Sequence, residues 1–299
     1  MLAKVSVFRT PESEAQYFEA YDEILKQWPV QFEEVYIPTR FGDTHVIASG
    51  PKEAEALVLV HAAGSSATQW IRNVAELSKH FRTYAVDVIG EEGKSLLTRP
   101  IRSRREFADW VEDLFNGLQI ESAYMVGNSY GGFLTLNAAF YLPERIKKVV
   151  LISPAATFEQ MWPFYWHLFL PNAIHRFMPV WIGDKLGTLR LANSGYDWIW
   201  HGFPKDDRLA RQAAIKRNSG YARNPVLPQV FSDKELRQIS TPVLLLIGDS
   251  EVIYDPQQVI QRATRLVAGL KAEIVPNANH CAQLTAPEII NQKILNFCH

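Results

Sequence analysis

The sequence predicts an α/β fold: a mostly parallel central β-sheet flanked by helices, with a helical lid inserted after the sixth strand. Three observations carry this expectation. Short, continuous, β-branched apolar runs recur along the chain. Strands this apolar are buried on both faces, as in a parallel sheet covered by helices. Amphipathic stretches alternate with the runs, which makes repeated β-α units joined by right-handed crossovers. A long aromatic-rich interval then interrupts the alternation before it resumes.

In chain order, residues 1–30 read as a helical extension packed on the core. Thr10 suits a helix cap, Pro11 suits the first helical position, and Tyr17, Tyr21, Ile24, Leu25 and Trp28 recur near helical spacing. Residues 34–49 read as a hairpin turning at Phe41-Gly42-Asp43. Buried strands follow at 56–61 (ALVLVH), 83–88 (TYAVDV), 123–126 (AYMV) and 149–152 (VVLI), then at 243–247 (VLLLI) and 273–275 (EIV). Amphipathic helices are expected at 68–80, 104–118 and 256–270. The core thus comprises residues 31–154 and 237–299. Residues 155–236 between them contain no convincing buried strand but hold five of the eight tryptophans (Trp162, Trp166, Trp181, Trp198 and Trp200), and are expected to form the helical cap, or lid.

Composition bounds the function. With 47% hydrophobic and 21% charged residues, the 299-residue chain can bury a full core. Its 31 basic and 32 acidic residues leave no footprint for nucleic acid or an anionic membrane. No stretch reaches the roughly 18 uncharged apolar residues of a membrane span. Two cysteines, Cys281 and Cys298, make no disulfide framework, and the start MLAKVSVFRTPESE carries no apolar run of signal-peptide length. A cytoplasmic setting is therefore expected.

The strongest motif is Gly127-Asn128-Ser129-Tyr130-Gly131, with an apolar strand before it and a helical stretch from about Phe133 to Tyr141 after it. A nucleophile on such a strand–turn–helix junction needs small flanking residues, and it projects above the sheet near the positive end of the helix. A serine hydroxyl needs a base. Of the eight histidines, His280 lies in the loop after the last strand, where an α/β sheet places its chemistry. His45 is in the hairpin, His80 at a helix end, His167, His175 and His201 in the lid, and His299 is the last residue. The imidazole needs a carboxylate, and the loop after 243–247 offers Asp249, Glu251 and Asp255. Glu251 is favoured, with Asp249 and Asp255 as rivals. Two backbone N–H groups, of Ala63 and of Tyr130, could meet to hold an oxyanion. Gly93-Lys94-Ser95 is not a phosphate loop, because the required earlier glycine position is Val88. Cys281, beside His280, reads as a packing residue, since neighbours on an extended segment point apart.

With these residues in place, the chain resembles the α/β-hydrolase superfamily from about Glu34 to the last residue. The order Ser129, Glu251, His280 is the order of that fold. The family's His-Gly turn is here His61-Ala62, and its Asp-containing loop is Asp87-Val88-Ile89-Gly90-Glu91-Glu92-Gly93-Lys94-Ser95, one residue longer than usual. Glu251 stands where the family most often has Asp. Within the superfamily, the chain is most similar to small bacterial carboxylesterases with a helical cap. Ser129 argues against the dehalogenases and epoxide hydrolases of this fold, which use an aspartate nucleophile. The resemblance implies a serine hydrolase acting on a small-molecule ester with an apolar acyl or alcohol group, without cofactor or metal, and with Trp162, Phe164, Tyr165 and Trp166 lining the substrate site. Lactone, thioester, amide or carbon–carbon hydrolysis, peracid formation, and a non-catalytic receptor role are the alternatives. Oligomeric state is not encoded in any motif.

Overall fold

The computed structural model describes residues 6–8, 10–91, 93–170 and 226–299. Strands β1 (Phe32–Thr39), β2 (Gly42–Ser49), β3 (Ala56–Val60), β4 (Arg82–Val86), β5 (Leu96–Leu97), β6 (Ala123–Asn128), β7 (Ile146–Ile152), β8 (Val243–Gly248) and β9 (Lys271–Val275) form one sheet. Its order is β1-β2-β4-β3-β6-β7-β8-β9, with β5 paired to β2. β2 runs antiparallel to β1, β4 and β5, and every pair from β4-β3 to β8-β9 is parallel. The strand order reverses at β3, with β4 on one side and β6 on the other. The carboxyl ends of β3 and β6 therefore border the crevice where an open α/β sheet places its ligands.

Among the described residues, the α-helices are α1 (Pro11–Leu25), α2 (Val74–Leu77), α3 (Arg104–Gly117), α4 (Tyr130–Tyr141), α5 (Trp162–Phe164), α6 (Asp233–Arg237), α7 (Pro256–Leu266), α8 (Ala282–Thr285) and α9 (Pro287–Cys298). The pleat of the strands separates two cores. Val58 and Val60 of β3 face a cluster with Phe107, Trp110, Phe133 and Val259 of α3, α4 and α7. Leu57 and Leu59 face a cluster with Tyr17, Tyr21, Trp70, Leu77, Ile290 and Ile294 on the opposite side. α1 belongs to that second layer. Thr10 caps it by accepting from Ser13 N–H, Pro11 opens it, and Tyr17, Tyr21, Ile24, Leu25 and Trp28 are buried, as their spacing predicts.

Several boundaries differ from expectation. The hairpin turns at Arg40-Phe41 and β2 already begins at Gly42, whose φ of 129° suits the tight return. Residues 68–80 form not one helix but a 3-10 turn (Ala67–Arg72) and α2, because the chain must bend to bury Trp70, Val74 and Leu77. α4 starts at Tyr130, directly after the serine, and α7 stops at Leu266. β9 is longer than 273–275 and is an edge strand on which only Val275 is buried. The short β5 makes the strand before residue 155 the seventh rather than the sixth.

The described ends of the 155–236 segment lie together. Thr157 bridges to Val230, Phe231 N–H donates to the Thr157 carbonyl at 3.0 Å, and the Arg262 guanidinium of α7 donates to the carbonyls of both Phe158 and Phe231. Trp181, Trp198, Trp200, His175 and His201 lie outside the described residues. Among those described, no helix is long and apolar enough to cross a membrane.

Candidate active site

Ser129 joins β6 to α4 with φ 53° and ψ −115°, a conformation that costs a non-glycine residue on the order of 1–3 kcal/mol. The surroundings enforce it. Ser129 N–H donates to the Ile152 carbonyl at 2.9 Å, and the Ser129 carbonyl accepts from Ala155 N–H at 2.9 Å and Phe133 N–H at 3.1 Å. The flanking glycines are steric necessities. A Cβ on Gly127 would stand 2.2 Å from the Gly131 carbonyl oxygen, and one on Gly131 would stand 2.2 Å from the Val60 oxygen and 2.6 Å from that of His61. α4 thus abuts both β6 and the end of β3. The Ser129 side chain occupies the cap position of α4 but makes no capping bond.

His280 is 5% exposed and follows β9 through a loop in which Asn277 has φ 55°. Its Nδ1 lies 2.9 Å and 3.1 Å from the two carboxylate oxygens of Glu251. The carboxylate can only accept, so Nδ1–H donates, and in the neutral tautomer that this bond selects the lone pair is on Nε2. The Glu251 side chain is fully buried, and one of its oxygens also accepts from Val252 and Ile253 N–H. Burial alone would raise its pKa. The charge and hydrogen bond of His280 outweigh that and hold it below the usual carboxylate range. The rivals have other work. Asp249 accepts from the Asn277 and Ala278 N–H groups and so shapes the histidine loop, and Asp255 caps α7 through Gln257 N–H. The His280 carbonyl accepts from Asn128 Nδ2 at 3.0 Å, which ties that loop to the residue before the serine.

The turn after β3 is held by its own side chain. Val88 N–H donates to His61 Nε2 at 3.0 Å, so Nδ1 carries the hydrogen and donates to the Ala62 carbonyl at 2.8 Å. Ser65 N–H donates to the same carbonyl. In a trans peptide the Ala63 N–H points opposite to that carbonyl. Ala63 is exposed, and Tyr130 supplies one of the first N–H groups of α4, which have no partner inside the helix. The Tyr130 hydroxyl donates to the Val226 carbonyl at the return of the insertion.

Of the aromatics expected to line the site, Phe164 and Tyr165 are half-buried and pack on the main core, while Trp162 and Trp166 are 61% and 62% exposed. Cys281 is buried, and burial with the nearby Glu251 charge pushes its thiol up to about 12, which disfavours a thiolate. Among the described residues, no three His, Cys, Asp or Glu side chains are grouped as metal ligands would be. Two features have no clear signal in the sequence: a buried amide cluster of Asn128, Gln69 and Gln283 behind Ser129, and a buried His45–Asp87 pair.

A family model described as the alpha/beta hydrolase family matches residues 57–293. The chain is 37% identical to carboxylesterase YbfK of Bacillus subtilis over 297 residues, covering 97% of this chain and 96% of that protein. It is also 37% identical to the B. subtilis protein described as uncharacterized carboxylesterase nap, covering 94% and 92%. The crystal structure of the former, carboxylesterase CesB (YbfK), superposes with a TM-score of 0.85 over 96% of this chain and 98% of that one. That of naproxen esterase from B. subtilis, 35% identical, superposes with a TM-score of 0.85 over 97% and 100%. With this fold, these relatives and a serine elbow at the reversal of the sheet, the chain belongs to the alpha/beta hydrolase family.

Proposed function

We propose that this carboxylic ester hydrolase works through Ser129 as nucleophile, His280 as general base and Glu251 as the acid that orients it. The observation that carries the reading is the buried Glu251 carboxylate on His280 Nδ1, in a loop tied through Asn128 to the strained Ser129 turn. His280 Nε2 takes the hydroxyl proton as Ser129 Oγ attacks the ester carbonyl. The Ala63 and Tyr130 N–H groups hold the oxyanion. The tetrahedral intermediate collapses, the alcohol leaves with the proton from His280, and the acyl group stays on Ser129. Water, deprotonated by His280, then attacks the acyl-enzyme, releases the acid and restores the serine. Glu251 stays ionised throughout and stabilises the imidazolium.

Residues 155–236 act as the lid in this reading, and its aromatic content favours an apolar acyl or alcohol group. Phe164 and Tyr165, half-buried against the core, are the first choice as its lining residues, ahead of the exposed Trp162 and Trp166. The two free, buried cysteines support a reduced, cytoplasmic setting. The test is hydrolysis of a chain-length series of p-nitrophenyl esters. Wild type should turn over, Ser129→Ala should lose about ten-thousandfold or more in kcat, and the preferred chain length should size the pocket. Equal turnover by Ser129→Ala, or none by folded wild type, would sink the reading.

A further inference from the structure

Behind Ser129 lies a chain of three buried amides: Asn128, Gln69 and Gln283 are each at most 1% exposed. Backbone groups at both ends fix how these amides face. The Ala62 N–H can only donate, and it lies 2.9 Å from one end of Gln69, which must be the oxygen. Gln69 Nε2 then faces Asn128 Oδ1 at 2.9 Å. Asn128 Nδ2 in turn faces two groups that can only accept, the carbonyls of Ile152 at 3.1 Å and His280 at 3.0 Å. Gln283 Nε2 gives Asn128 Oδ1 its second donor at 3.1 Å. No amide in this chain can be turned over without setting like against like.

We propose that Gln69, held by Asn128, is a positioning residue that aims the Ala63 amide at the oxyanion. The inference rests on the assignment of Ser129 as nucleophile and Ala63 as donor. Ala62 is only 8% exposed, so its N–H has little access to water and depends on Gln69 for a partner. His61 and Ser65 fix the Ala62 carbonyl, and Gln69 fixes the preceding peptide. Together they leave the Ala62–Ala63 peptide one orientation. A donor contributes to the transition state only when it is aimed at the place where charge develops. Because Asn128 also holds the His280 carbonyl, one side chain keeps the histidine loop and the oxyanion turn in register with the serine that follows it.

Gln69→Met and Asn128→Leu, which roughly conserve volume, test the proposal in the full chain. Titration with a fluorophosphonate first counts the competent serines. If wild type takes no label at Ser129, the nucleophile assignment fails, and that failure is separate from this one. Per titrated site, each variant should lose about tenfold or more in kcat with KM changed by less than about threefold, the pattern of an interaction made in the transition state. A boronic acid, which forms a tetrahedral adduct on the serine, should bind more weakly by the same factor. The double variant should lose no more than the worse single one, because the two share one hydrogen bond. Variants with a lowered Tm but wild-type kcat and boronate affinity per titrated site would overturn the proposal and leave the amides a purely structural role. If one variant does not fold, the other decides by the same readouts.

Discussion

At the scale of single residues, the site depends on placing a serine in a backbone conformation that serine disfavours. Three backbone hydrogen bonds hold Ser129 there, and the two glycines let α4 come into contact with β6 and β3. Gly131→Ala puts a Cβ against the Val60 and His61 carbonyls. It should cost about 1–3 kcal/mol of stability, as overpacking does, and should depress kcat by shifting the elbow. Chemical unfolding and kinetics on one preparation check both, and a variant with wild-type values for each would contradict the packing argument. Glu251→Gln removes the carboxylate from His280 while keeping its shape. It should lower kcat by about a thousandfold or more, whereas Asp255→Asn, at the start of α7, should change kcat by less than about twofold. The reverse order would move the acid to Asp255. The sequence makes Ser129 and the acidic loop legible because each follows a strongly apolar strand, and His280 because it lies in the loop after the last strand. It leaves the choice among three acids open, since that depends on which side chain turns inward. Gln69 and Gln283 are invisible to it, because an amide on a short helix has no pattern until the sheet order brings it to Asn128.

At the scale of elements, the buried parallel strands are legible to within three residues, because their apolar runs have no other home. The edge is not. β9 pairs along five residues but buries one, so apolar content understates its length. The two-residue β5 is too short to have a signature and exists only because β2 is there to pair with it. The base of the insertion shows a similar dependence on distant chain. Arg262 on α7 donates to the carbonyls of both Phe158 and Phe231, at the two described ends of residues 155–236, and to Asp233. Arg262→Met should therefore loosen the Thr157–Phe231 contact, raising amide exchange at Phe231 while leaving exchange in β7 and β8 unchanged. Unaltered exchange at Phe231 would mean that the backbone bridge holds the insertion without the guanidinium.

At the scale of the molecule, a buried polar cluster joins the first helix to the turn after β3. Asp87, just after β4, accepts from the Tyr21 hydroxyl of α1, from His45 Nδ1 of β2, and from the N–H groups of Lys94 and of Ala67, just past the turn that follows β3. His45 Nε2 meets Glu34, which also pairs with Lys94. Burial opposes charge on His45, but Asp87 and Glu34 outweigh it and raise its pKa. The His45 hydrogen bond leads the groups that draw Glu34 down to about 2, and Asp87 is also lowered. The signs set a window. A raised histidine stabilises fully below its unfolded value near pH 6.5 and loses this as pH climbs through the folded value. Lowered carboxylates stabilise above about pH 4 and lose this in acid. His45→Gln should thus destabilise the fold by about 3 kcal/mol, as breaking a buried pair does, most strongly between about pH 4 and 6.5. A difference from wild type that is flat from pH 4 to 9 would show that folding does not raise the His45 pKa, and one that grows with pH would show that His45 is neutral in the folded state. The alternation of strands and helices predicts the sheet, but this cluster arises only once the antiparallel β2 is laid beside β4.

The most direct test of the central claim is the intact mass of the whole protein after reaction with a fluorophosphonate, followed by peptide mapping. One phosphonyl group per chain is expected on Ser129, with esterase activity lost in step with labelling and no label on Ser129→Ala. A fully active protein without label, or a label that persists in Ser129→Ala at another residue, would contradict it.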